Sequence, residues 1–156
     1  MIWADMRAVK EAKQLEDAIG ADPIYQITGH RVAASYSIEK LMWLKANEPE
    51  VYEKTYKILQ AKDYIIQRAT GEFVTDYSDA SGTQALDLRK LEWSDEILNA
   101  AGIDKEKLPT LKRSIDVAGY IQVKSGFLQV LRWSAAAAMA RCPQWAQPAL
   151  RTASFT

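Results

Sequence analysis

The chain carries very little sulfur or imidazole: one cysteine, Cys142, and one histidine, His30, in 156 residues. A single cysteine excludes an internal disulfide and any cysteine-based zinc cluster, and a single histidine excludes the usual histidine-based metal sites. Neither sign of charge is in excess, with 20 basic against 20 acidic side chains, so the electrostatic footprint of a nucleic-acid binder is missing. No apolar run nears the roughly 20 residues that span a bilayer. The N-terminal MIWADMRAVKEAKQ is charged too early to be a secretory signal. These absences make the cytoplasm the expected compartment, with neither membrane nor nucleic acid as partner. The composition that remains, 48% apolar and 26% charged, is that of one globular domain with a real core rather than a disordered chain.

Local patterns give a helix-rich order. Met1-Ile2-Trp3 reads as the end of a strand. A helix follows from about Ala4, with Met6, Val9, Leu15 and Ile19 on one face and Gly20 placed to stop it. Asp22-Pro23 and Thr28-Gly29-His30 read as loop. Ser37 is placed to cap a helix carrying Ile38, Leu41, Met42 and Leu44. Asn47-Glu48-Pro49-Glu50 has the form of a capping box opening a helix through Val51 and Tyr52. Lys62 to Thr70 predicts another helix stopped by Gly71, and residues 72–83 read as turns without regular structure. Ala85 to Leu88 and Val117 to Gln122 read as short strands. Between them Ser94 caps a helix that Gly102 ends. Such strands lack the partners of a proper sheet, so part of the domain is expected to be missing.

Several motifs in series resemble one family. Ile2-Trp3-Ala4-Asp5-Met6-Arg7 matches a W-x-D-x-R segment, and Thr28-Gly29, Tyr36 to Leu44, and Glu48-Pro49 with Tyr52 follow in order. Lys62-Asp63-Tyr64-Ile65, Thr70-Gly71, Thr75 to Thr83, Asp87-Leu88, Trp93, Gly102-Ile103 and Leu108-Pro109 continue the series to about residue 129. The chain is thereby similar to the FGGY family of carbohydrate kinases, and within it to xylulokinase-type members. The resemblance implies an α/β fold, the ribonuclease H-like N-terminal domain of an actin-like ATPase. It also implies transfer of phosphate from ATP, with magnesium, to a sugar or polyol hydroxyl. Relative to the family, a D-x-G-T phosphate turn before Ile2 and the ATP-binding C-terminal domain are not in this sequence. Residues 1–129 are therefore expected to be a partial sugar-side domain that itself binds neither ATP nor magnesium.

Residues 130–156 change character: VLRWSAAAAMARCPQWAQPALRTASFT has no acidic residue and four alanines in a row. The plain reading is a C-terminal helix with a frayed tail. If one base is lost after Gln129, residues 130–146 decode in the neighbouring frame to GTPVVGGGGDGPLPAVG. That is similar to the family's G-T-P-V…G-G-G-D segment, whose aspartate is the catalytic base. A frameshifted tail from residue 130 is expected, with Ala138 and Met139 where that aspartate would stand, so no catalytic residue is assigned.

Four residues are candidates for sugar binding. Trp3, Asp5 and Arg7 alternate along a segment read as extended and so share a face; an indole covers the apolar side of a sugar, and the two charges bind its hydroxyls. In the competing reading Asp5 caps the next helix and Arg7 is a surface charge. Tyr36 matches a position that, in the family's glycerol kinases, offers a hydroxyl to the substrate; otherwise it is a tyrosine packed before a helix. His30 is read as structural, the Asp76, Ser78, Asp79, Ser81 run as turn chemistry rather than a metal loop, and Trp43, Trp93 and Tyr64 as core. The leading function is therefore part of a kinase for a ketose such as D-xylulose, inactive as an isolated chain. Glycerol, gluconate and ribulose are alternative acceptors, and a small helical interaction module without enzymatic ancestry is the alternative class. Apolar surface left open by missing strands is expected to drive self-association.

Overall fold

The computed structural model describes residues 1–2 and 4–120, and the backbone of 132–134. Five helices come first: α1 Val9–Ile19, α2 Ala21–Thr28, α3 Ser37–Asn47, α4 Pro49–Lys54 and α5 Ala61–Thr70. Next come β1 Val74–Asp76, α6 Tyr77–Ser81, β2 Leu86–Asp87, β3 Glu92–Trp93 and α7 Asp95–Ala101. A 3₁₀ turn at Lys105–Lys107 leads to β4 Thr110–Lys112, β5 Val117–Tyr120 and β6 Arg132–Ser134. The strands form three two-stranded ribbons among the described residues: β1 with β4 parallel, β2 with β3 antiparallel, and β5 with β6 antiparallel. No helix among the described residues is long and apolar enough to cross a membrane.

The main core joins α1, α2, α3, α6 and α7 through Leu15, Ile24, Ile38, Ala80, Ile97 and Leu98. Trp93 closes it from β3, its indole N–H donating to the Pro109 carbonyl at 2.9 Å. A smaller cluster of Ile66, Val74 and Ala118 holds α5 against β1 and β5. Gly119 permits that approach, since a Cβ there would lie 2.7 Å from Thr70 Cβ.

Helix ends follow the sequence signals at α5, where Gly71 is left-handed, and at α7, where Ser94 Oγ accepts from Ile97 N–H and Gly102 closes the other end. Elsewhere the expectations need correction. Met6 and Val9 are exposed, because α1 turns Ala8, Ala12 and Leu15 inward. Residues 21–28 are helical rather than loop: Pro23 sits in the first turn, where its missing N–H costs nothing, and Gly29 ends the helix. Ser37 is the first residue of α3, not its cap, and its hydroxyl accepts instead from the Gln60 side chain. Asn47 does not cap α4; its amide donates back to the Trp43 carbonyl. Within 72–83 lie a buried strand and a short helix capped by Asp76, which accepts from Asp79 N–H at 3.0 Å. Tyr64 is exposed rather than core. The expected separate tail from residue 130 lies outside the described residues apart from the backbone of β6.

Candidate functional site

Three polar clusters stand out among the described residues. The first joins the N-terminal segment to α3. Asp5 N–H donates to the Ile2 carbonyl three residues back, which an extended run of the kind expected from sequence would not allow. Asp5 and Arg7 consequently pair with each other: Arg7 Nη2 lies 2.7 Å from Asp5 Oδ2, and Arg7 N–H also donates to Asp5 Oδ1. The side-chain hydrogen bonds from Arg7 hold the Asp5 carboxyl down to about 2. Asp5 makes no cap, since α1 begins after Ala8 without a side-chain cap. The Arg7 guanidinium stacks over the Trp43 ring on α3, 4.3 Å from its centroid. Trp3 lies outside the described residues, as do residues 138–139.

The residue that docks this segment is Lys40, which sequence reading did not single out. Its ammonium donates to the Ile2 carbonyl at 2.9 Å and to the Ser35 carbonyl at 2.6 Å. One buried cation thus ties the segment carrying Asp5 and Arg7 to the turn carrying Tyr36.

In the second cluster Tyr36 is half-buried just before α3. Its hydroxyl lies 3.2 Å from His30 Nδ1, and His30 Nε2 lies 3.1 Å from Ser81 Oγ. His30, read as structural, therefore touches a predicted sugar-binding residue, and the two rings sit 5.1 Å apart at a 42° tilt.

The third cluster lies where α5, β1 and α6 meet. Lys62 is within 3.1 Å of Asp76, 3.4 Å of Asp63 and 3.4 Å of Asp79. Burial would lower the Lys62 pKa, but the three carboxylates, Asp79 foremost, hold it raised. Burial raises that of Asp63 despite Lys62. This arrangement does not fit magnesium, because the protein's own ammonium already occupies the centre of the carboxylates. Among the described residues no group of three or more histidine, cysteine, aspartate or glutamate side chains is arranged to hold a metal. Of the described glycines with positive φ, Gly29, Gly71 and Gly102 sit at helix C-termini, while Gly20 lies between the end of α1 and the start of α2. The adjoining cavity, lined by Ser37, Gln60, Asp63, Thr75 and Trp93, measures about 20 Å³, room for a water but not a sugar.

Residues 1–130 match the FGGY family of carbohydrate kinases, N-terminal domain. The xylulose kinase of Lactococcus lactis is 36% identical over 124 residues, covering 80% of this chain and 25% of the relative. A glycerol kinase of Thermococcus onnurineus is 36% identical over 124 residues, 77% of this chain and 25% of the relative. The solved xylulose kinase of Lactobacillus acidophilus superposes with a TM-score of 0.72 at 35% identity, over 80% of this chain and 25% of that one. The chain thus spans about a quarter of the length of the relatives it matches. A match through nearly all the described residues, with the fold of solved sugar kinases under it, places this chain in the FGGY family of carbohydrate kinases, whose fold is that of the actin-like ATPases.

Proposed function

We propose that this chain forms the sugar-facing part of a kinase that phosphorylates a ketose such as D-xylulose, and that alone it does not transfer a phosphoryl group. The observation that carries the reading is the Lys40 bridge, which ties the backbone at Ile2, ahead of the Asp5–Arg7 pair, to the backbone at Ser35, beside Tyr36. Guanidinium, carboxylate and phenol are directional donors and acceptors of the kind a polyol requires. Xylulose kinases among the relatives favour the ketose; the glycerol kinase relative keeps glycerol as a second acceptor.

The inactivity has a chemical basis. A general base works best with a pKa near the working pH. Asp5, held at about 2 by Arg7, is a weak proton acceptor. Asp63, Asp76 and Asp79 face Lys62, and Glu39 is fully buried. The family's base falls at residues 138–139 under the frameshift reading, where alanine and methionine cannot take a proton. Sugar binding is tested by titrating the full chain with D-xylulose and following its amide resonances. Shifts confined to residues 5–7 and 35–40, lost in Arg7→Ala, support the reading; shifts elsewhere or none at all refute it.

A further inference from the structure

His30 is held from several sides. Its backbone N–H donates to Thr28 Oγ1 at 3.2 Å, and the buried Gln84 side chain donates to the neighbouring Arg31 carbonyl at 3.0 Å. Gln84 reaches there from a left-handed conformation, φ 63°, that follows α6. The imidazole is thereby fixed between two hydroxyls, Tyr36 on Nδ1 and Ser81 on Nε2. Neutral imidazole has one donor and one acceptor nitrogen, so one hydroxyl must give a proton to the ring and the other must accept one. A phenol, with a pKa near 10, is a far stronger donor than an aliphatic alcohol, and serine oxygen is the better acceptor. The favoured pattern has Tyr36 O–H donating to Nδ1 and Nε2–H donating to Ser81 Oγ. The Tyr36 oxygen then has only lone pairs to offer outward.

We propose that His30 is a positioning residue that holds the Tyr36 hydroxyl, its proton committed to Nδ1, as a hydrogen-bond acceptor for a hydroxyl of the sugar. This rests on the reading of Tyr36 as a sugar contact. It adds a polarity to that contact: the ligand must bring a hydroxyl hydrogen to Tyr36, so an acceptor-only group at that position is rejected. It also ties the contact to α6 through Ser81, some fifty residues further along the chain.

Because His30 is the one histidine of the sequence, its ring nitrogens are identifiable in a long-range proton–nitrogen spectrum of the labelled full chain. The expected spectrum has a pyridine-type Nδ1 and a pyrrole-type Nε2. Tyr36→Phe shifts chiefly Nδ1, Ser81→Ala shifts chiefly Nε2, and D-xylulose moves Nδ1 in the wild type but not in Tyr36→Phe. A pyrrole-type Nδ1 overturns the proposal, since Tyr36 is then free to donate. Ring nitrogens indifferent to Tyr36→Phe overturn the relay itself. An Nδ1 that responds to Tyr36→Phe but not to sugar overturns the ligand half of the proposal, and with it the sugar contact assigned to Tyr36. Should Tyr36→Phe fail to fold, judged by its amide dispersion, an Nε2 unmoved by Ser81→Ala overturns the relay in its place.

Discussion

Glu39 lies on the inward side of α3, fully buried, with neither carboxylate oxygen hydrogen-bonded. Burial pushes its carboxyl up to about 8 from an ordinary 4.5. Below the ordinary value the side chain is protonated in folded and unfolded chains alike, and its burial costs no charge. Between about 4.5 and about 8 the unfolded chain releases the proton while the folded chain keeps it, so stability falls as pH rises through this window. The whole shift corresponds to at most about 5 kcal/mol. Glu39→Gln should therefore flatten the pH dependence and be the more stable protein at pH 8, as read from urea midpoints at pH 5 and pH 8. Equal slopes for both proteins would show that Glu39 is ionised when folded. Nothing in Ser-Ile-Glu-Lys-Leu-Met-Trp announced a buried acid, because the apolar spacing of Ile38, Leu41 and Met42 put Glu39 and Lys40 near the edge of the stripe. Packing of α3 against other elements, not its own spacing, decides that they are covered.

At the scale of elements, the Lys62 cluster fastens α5, β1 and α6 at one joint. The carboxylates of Asp63 and Asp76 are all but inaccessible and that of Asp79 is 16% exposed. Removing a single ammonium leaves three carboxylates without their cation. Lys62→Met should cost about 3–5 kcal/mol at pH 7, the range for breaking one side of a buried ion pair. The deficit should shrink toward pH 4 as the carboxylates take up protons; a deficit that is small, or constant with pH, would mean that the ammonium is not what balances them. The same joint shows why sequence reading faltered at 72–83. Asp76, Ser78 and Asp79 are turn-forming residues by local chemistry, but partners outside the segment override it: β4 on one side of β1 and Lys62 on the other. Where the signal is local, as with Gly71 ending α5 or Ser94 and Gly102 bounding α7, structure and sequence agree. At α2 the loop residues Asp22 and Pro23 were legible, but their fitness for a helix's first turn was the part that mattered.

Over the whole molecule, the family was legible because its motifs come in order through the described chain, each weak alone. The candidate site was legible only in part: Tyr36, Asp5 and Arg7 are candidates by motif position, whereas the contacts of Lys40 and His30 are made across the fold and spacing does not reveal them. Large apolar side chains stand in solvent in the segments outside the helices and strands, among them Ile2, Tyr56 and Ile115, with 69%, 74% and 80% of their surface exposed. We propose that such surface drives self-association; sedimentation velocity should show a weight-average mass rising with concentration, and a monomer throughout would contradict it. The central claim is that this chain carries sugar-facing machinery without the means to transfer phosphate. General-base catalysis alone is typically worth about 10²–10⁴-fold, and Asp5, the carboxylate proposed to face the sugar, is held down to about 2 by Arg7. The most direct test is ATP consumption by the purified chain at high protein concentration with D-xylulose, glycerol or gluconate. The account predicts no turnover above the background without sugar. Sugar-dependent turnover that disappears in Asp5→Ala would contradict it, because it would make a catalytic base of a carboxylate that Arg7 holds at about 2.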